Sequence, residues 1–173
     1  AQFFYVGAQI GVWSFTIRIV MQELGVVEAQ AATVYLWSII GFCASRFIYT
    51  WLMKWFAPAR LLVFGAVMSI LCSGVVVFGS GLGWGMVAAL MAISFFMSLM
   101  FPTIYGIALG SVGEDTKIGA SGLIMAILGG ALLTPLQAIV SDAAGIYTSY
   151  LIPQGCFAVV LVFALRACRK VKS

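Results

Sequence analysis

The stretch FFYVGAQIGVWSFTIRIVMQE, residues 3–23, is apolar along most of its length but carries Gln9 and Arg18. An amide offers hydrogen-bond donors and acceptors, and a nearby indole offers an aromatic ring, so Gln9 with Trp13 has the chemistry of a sugar site. Arg18 stays charged, and an arginine at the centre of a bilayer costs ~3 kcal/mol or more unless it reaches water, a partner or the headgroups. Two readings stand for it: snorkelling from the outer third of its helix, one turn from Gln22 and Glu23, or a cavity or gate contact. Gln9 and Arg18 are nine residues apart, and about 100° per residue turns them to opposite sides of a straight helix. Gln9, Trp13 and Thr16 then share one face, and Ser14, Arg18 and Gln22 another. The plainer alternative bonds Gln9 across a helix interface and turns Trp13 to lipid. Gly7 and Gly11 admit bending or close helix packing.

Arg46 sits on a stripe with Ile39, Phe42, Tyr49 and Thr50 and has no acid in its local sequence. It either snorkels to the near membrane face or contacts a cavity or inner gate. In SFFMSLMFPTIYG, the residues Ser94, Ser98, Pro102 and Tyr105 share one helical face. Pro102 leaves the carbonyl of Ser98 unbonded and predicts a kink there. That face either lines a path or bonds its hydroxyls back to its own helix. Gly122, Ala126 and Gly130 recur every four residues, a small-residue ridge that predicts close helix packing.

The absences are equally informative. There is no His among the 173 residues, and no CxxC pair among the four cysteines, so no metal site or cofactor is expected. No serine has a His to activate it and no carboxylate pair shares a helix face, so an enzyme is not expected. All five acids fall in connectors or at the ends of apolar runs. A proton carrier needs a group that changes charge near neutral pH, which an arginine cannot do. A proton-driven protein of this sequence needs its proton site elsewhere. The glycine clusters lack the GK[ST] of a phosphate loop.

The elements that must hold these residues are membrane helices. Hydrophobic residues make up 64% of the chain and charged ones 8%, against roughly 45–50% and 25% in soluble domains, and mean hydropathy is +1.15. Six apolar runs, 3–24, 31–54, 60–80, 83–112, 119–141 and 146–167, each approach or exceed the ~20 residues that cross a bilayer. The connectors are short and rich in turn residues, leaving no room for a soluble domain. The chain starts at Ala1, with no charged leader and cleavage site before its first run. That run is therefore expected to be a span rather than a signal peptide, and the chain a fragment or a processed product.

Six spans put both ends on one side. On that side fall Lys54, Arg60, Lys117, Arg166, Arg169, Lys170 and Lys172, while the opposite connectors hold Glu23, Glu28 and Asp142 and no base. The positive-inside rule places both ends in the cytoplasm. The net charge of +4 thus reports topology first. No nucleic-acid partner is expected, and lipid surrounds the helices.

AQFFYVGAQIGVWSFTIR resembles the seventh helix of the L-fucose–proton symporters of the major facilitator superfamily. RFIYTWLMKWFAPARLL is similar to their eighth helix and the loop after it. FMSLMFPTIYGIALGSVGEDTKIGASGLIMAILGGALLTP and SDAAG are similar to the tenth and eleventh helices and the next turn. The resemblance runs in order along essentially the whole chain, with Ala138 where the pattern leads one to expect glycine. It implies an all-α membrane protein, the C-terminal six-helix half of a twelve-helix transporter, covering residues 1–173. It implies a bacterial inner membrane, a monosaccharide and a proton as partners, L-fucose foremost with glucose or galactose as alternatives, and an N-terminal half that holds the coupling carboxylates. It raises Gln9, Trp13, Arg46, Ser98 and Tyr105 as cavity residues. Two other classes remain open: a stand-alone six-helix channel or dimeric carrier, and a membrane scaffold subunit.

Overall fold

The computed structural model describes residues 1–110, 121–122 and 124–172. Those residues are helical throughout, joined by short turns. Helix α1 spans Gln2–Leu24, α2 Glu28–Leu52, α3 Pro58–Phe78, α4 Trp84–Met97 and α5 Met100–Gly110. Helix α6 spans Leu128–Ala144, α7 Ile146–Ser149 and α8 Leu151–Lys172. Five segments are long and apolar enough to cross a membrane: Gln2–Leu24, Glu28–Leu52, Pro58–Phe78, Trp84–Leu109 and Ile146–Arg169. The fifth run expected from the sequence, 119–141, begins outside the described residues, as does Lys117. Its described part is helical at 121–122 and 124–125 and again in α6.

The helix ends follow local chemistry. Gly25 closes α1 in the left-handed conformation (φ 61°), its N–H donating to the carbonyl of Met21, a geometry that suits a residue without a side chain. Pro58 opens α3, where its missing N–H costs nothing. Met97 ends α4 and α5 begins at Met100, because Pro102 has no N–H for the carbonyl of Ser98. The kink expected from Pro102 is a two-residue turn at Ser98 and Leu99, inside a single span, Trp84–Leu109. Pro135 lies inside α6.

Helix α1 is the hub. It packs against α6 and α8, and also against α2, α4 and α5; α3 packs on α8 and α4, and α2 on α4. Tyr5, Val12, Phe15 and Ile19 of α1 join Leu62, Leu90, Ile93, Met97, Tyr150 and Phe157 in one buried core. Two phenols pin the hub. Tyr5 donates to the carbonyl of Met97 at the α4 break (2.9 Å). Tyr150 donates to the carbonyl of Val12 (3.1 Å), which also accepts from Thr16 (2.7 Å). Thr16 is thus buried and bonded within α1, not on an open face with Gln9.

The α1–α6 contact is the tightest. A side chain at Gly7 would meet Leu133, and one at Gly11 would meet the Gln137 amide. In the other direction, one at Gly129 would meet the backbone carbonyl of Phe3 and one at Gly130 would meet Ile10. The expected ridge is only partly here. Gly122 is exposed, and none of the described residues stands within 4 Å of its missing side chain. The cause is a change of helical pitch. Ile127, Gly129 and Gly130 bond three residues back, to Ile124, Ala126 and Ile127, so Gly122 and Gly130 do not share one continuous α-helical face. The close approach falls on Gly129 and Gly130, with Ala126 at the turn.

Candidate functional site

All but one stripe of α1 is covered by its neighbours. The uncovered residues run along Gln9, Ile10, Trp13, Ser14, Ile17, Arg18, Met21 and Gln22. Spacings of four residues drift slowly around a helix of 3.6 residues per turn. The stripe therefore winds, with Gln9 at one edge near mid-helix and Arg18 at the other edge, about 13 Å farther along the axis.

Gln9 and Trp13 lie together on this stripe, half-buried. Trp13 meets the ring of Phe42 on α2 edge-to-face at 5.1 Å, and the Arg46 guanidinium stands over the same Phe42 ring at 5.6 Å. The fold thereby brings Trp13 and Arg46 to one aromatic centre, with Arg46 exposed at its rim. The indole Nε1 of Trp13 is enclosed and without a hydrogen-bond partner, so its accessible surface is aromatic carbon. Beside Gln9, such a ring suits the C–H face of a pyranose, and the amide suits its hydroxyls.

A second aromatic pair lies on α5. Tyr105 stacks on Phe101 at 6.3 Å with the rings 10° apart, and Phe101 reaches Tyr5 at 6.2 Å. Tyr105 is partly exposed, but Ser98 is not. Ser45 on α2 donates to the Ser98 hydroxyl at 2.6 Å in a fully buried contact. Ser94 is also buried, and its hydroxyl has no partner. The polar face expected along Ser94, Ser98, Pro102 and Tyr105 is therefore divided. Ser94 and Ser98 are buried, while Pro102 and Tyr105 reach the surface. Ser98 is a helix-joining residue in this chain.

Arg18 is exposed at the far edge of the stripe, with its guanidinium 5.4 Å from the ring of Phe15. Nearby, Glu23 collects three donors on one carboxylate: the N–H groups of Gly81 (3.1 Å) and Gly83 (3.1 Å) and the hydroxyl of Tyr147 (2.5 Å). It clasps the end of α1 to the α3–α4 turn and to α7. Reasoning on the sequence missed this group, because Tyr147 lies 124 residues from Glu23. It also missed Gln137, which is 1% exposed with no partner for its amide nitrogen. A lone polar residue in the apolar run LQAIV was the available signal.

No protein-family model matches the chain. Individual proteins do. The chain is 41% identical over 95% of its length to the L-fucose-proton symporter of Escherichia coli K12 and covers 37% of that protein. It is 38% identical over 99% of its length to the L-fucose-proton symporter of Haemophilus influenzae, covering 41%. A glucose/galactose transporter of Brucella abortus is 33% identical over 94% of the chain. Among solved structures, the major facilitator superfamily transporter FucP in its outward conformation superposes with a TM-score of 0.89 at 38% identity, over 96% of this chain and 40% of that one. A variant of the E. coli fucose:proton symporter gives 0.92 at 39% identity over the same shares. The chain thus spans about two-fifths of the proteins it matches, and these relatives are transporters rather than enzymes. Matched along almost all of its residues, the chain has the fold of the major facilitator superfamily and is similar in sequence to about two-fifths of the L-fucose–proton symporters.

Proposed function

We propose that this chain is the C-terminal six-helix half of a proton-coupled monosaccharide transporter of a bacterial inner membrane, with L-fucose as its sugar and both of its ends in the cytoplasm. The observation that carries the reading is the single open stripe of α1. It presents Gln9 and Trp13 beside the Phe42–Arg46 pair, in a chain that aligns almost end to end with parts of two fucose-proton symporters.

The mechanism follows from what the stripe offers and lacks. Gln9 exchanges hydrogen bonds with sugar hydroxyls, and the Trp13 ring packs on the sugar's apolar face. Arg46 and Tyr105 border the cavity, and the other half of the transporter closes it. Rocking of the two halves about this site exposes it to each side in turn. The proton is handled elsewhere. The acids of the described residues, Glu23, Glu28 and Asp142, stand at helix ends or next to them, so the titrating carboxylates belong to the other half. Seven basic residues on one side and none in the opposite connectors support the orientation.

Glucose or galactose is the second reading, favoured by the Brucella relative. Equilibrium binding separates residue roles. In the full-length transporter, Gln9→Ala weakens L-fucose binding by about three- to tenfold, the loss of one or two hydrogen bonds, and leaves the protein monodisperse. Unchanged affinity would remove Gln9 from the site.

A further inference from the structure

At the end of α1 opposite the amino terminus, the structure forms a second cleft, of about 570 Å³, lined by Arg18, Met21 and Gln22 of α1, Ser141 of α6, and Gly145 and Ile146 at the α6–α7 corner. Its size falls among small-molecule sites, which run from about 300 to 1,000 Å³. Its two walls are tied together. The Tyr147 hydroxyl, next to Ile146 in the chain, donates to Glu23, next to Gln22, and the N–H of Gly145 donates to the carbonyl of Ser141 (3.0 Å).

We propose that this cleft is an outer vestibule that binds the transported sugar before it reaches Gln9 and Trp13. The proposal rests on the sugar-transport reading above. Among the described residues Arg18 contacts only the ring of Phe15, and its guanidinium keeps five N–H donors for a ligand. Gln22 adds an amide and Ser141 a hydroxyl. The ligand must be neutral. Glu23 and Asp142 stand at this end of the molecule, and both α1 and α6 end here, so the carboxylates and the negative ends of two helix dipoles repel an anion. A hydroxyl-rich ring satisfies both halves of the cleft, accepting from Arg18 and exchanging hydrogen bonds with the Gln22 amide and the Ser141 hydroxyl. The uncovered stripe of α1 then runs from Arg18 through Ser14 and Trp13 to Gln9, a continuous path inward.

The test compares uptake kinetics with equilibrium binding in the full-length transporter. A vestibule changes how fast sugar arrives and leaves the affinity of the deeper site alone. Arg18→Gln, and separately Ser141→Leu, which fills the cleft, raise the uptake KM about fivefold at unchanged Vmax, while the equilibrium Kd for the same sugar stays at the wild-type value. KM within twofold of wild type in both variants overturns the vestibule. So does a Kd that rises in parallel with KM, which places Arg18 in the central site, and so does a fall in Vmax at unchanged KM, which gives these residues a structural role. Wild-type protein that takes up no sugar overturns the vestibule together with the reading beneath it.

Discussion

Glu23 shows how much one side chain can organise. Its carboxylate accepts from Gly81, Gly83 and Tyr147, and so fastens three connections at one end of the bundle. Gly81 and Gly83 have φ of 89° and 55°, a region in which a glycine turns its N–H toward the acid without a steric penalty. Removing the acid leaves these donors to water in a half-exposed setting, which costs about 1 kcal/mol. Glu23→Ala therefore lowers the melting temperature of the purified full-length transporter, and Tyr147→Phe, losing one bond of three, lowers it less. Identical melting in all three proteins would show that the clasp contributes nothing. That Gln9 and Trp13 share one face of α1 was legible in the sequence, because residues four apart lie on one side of a helix. The role of Glu23 was not, since its partners lie 58, 60 and 124 residues away. Ser98 was placed on an open face because the residue that covers it, Ser45, lies 53 residues away on another helix.

Between elements, the α1–α6 contact sets the tightest tolerances. Gly7 and Gly11 receive Leu133 and Gln137, while Gly129 and Gly130 receive Phe3 and Ile10, so each helix supplies both the small and the large partners. The sequence announced a small-residue ridge but misplaced its contact, because the tightened turn before α6 cannot be read from spacing alone. A leucine at Gly129 would meet the backbone of Phe3, which has no rotamer to escape into. Such overpacking costs about 1–3 kcal/mol. Gly129→Leu is expected to lower the melting temperature and the monodisperse yield of the full-length transporter, whereas Gly122→Leu, with open space around it among the described residues, leaves both near wild type. An equal loss at Gly122 would place that residue against the rest of the transporter. Two serines fit the same picture: Ser45 of α2, whose hydroxyl also reaches the Phe42 carbonyl (2.8 Å), and Ser98 at the end of α4 are joined by one short bond.

At the scale of the molecule, the membrane-helix class was legible, because nothing but lipid accommodates 64% hydrophobic residues in runs of this length; among the described residues five of the six expected runs recur as helices long and apolar enough to span. The site as a whole was less so. It is incomplete within 173 residues that span about two-fifths of the related transporters, and an open stripe on a central helix implies a wall that another part of the protein supplies. The absence of a carboxylate or histidine from the middle of the described helices makes the same demand for the proton. Both demands are met if this chain is half of a sugar–proton symporter. The direct measurement is uptake of labelled L-fucose into proteoliposomes containing the full-length transporter, with and without an inward proton gradient and with unlabelled sugars as competitors. The account predicts uptake that the gradient accelerates and that L-fucose competes best. Folded protein that takes up no sugar, or takes it up at a rate indifferent to the gradient, would contradict it.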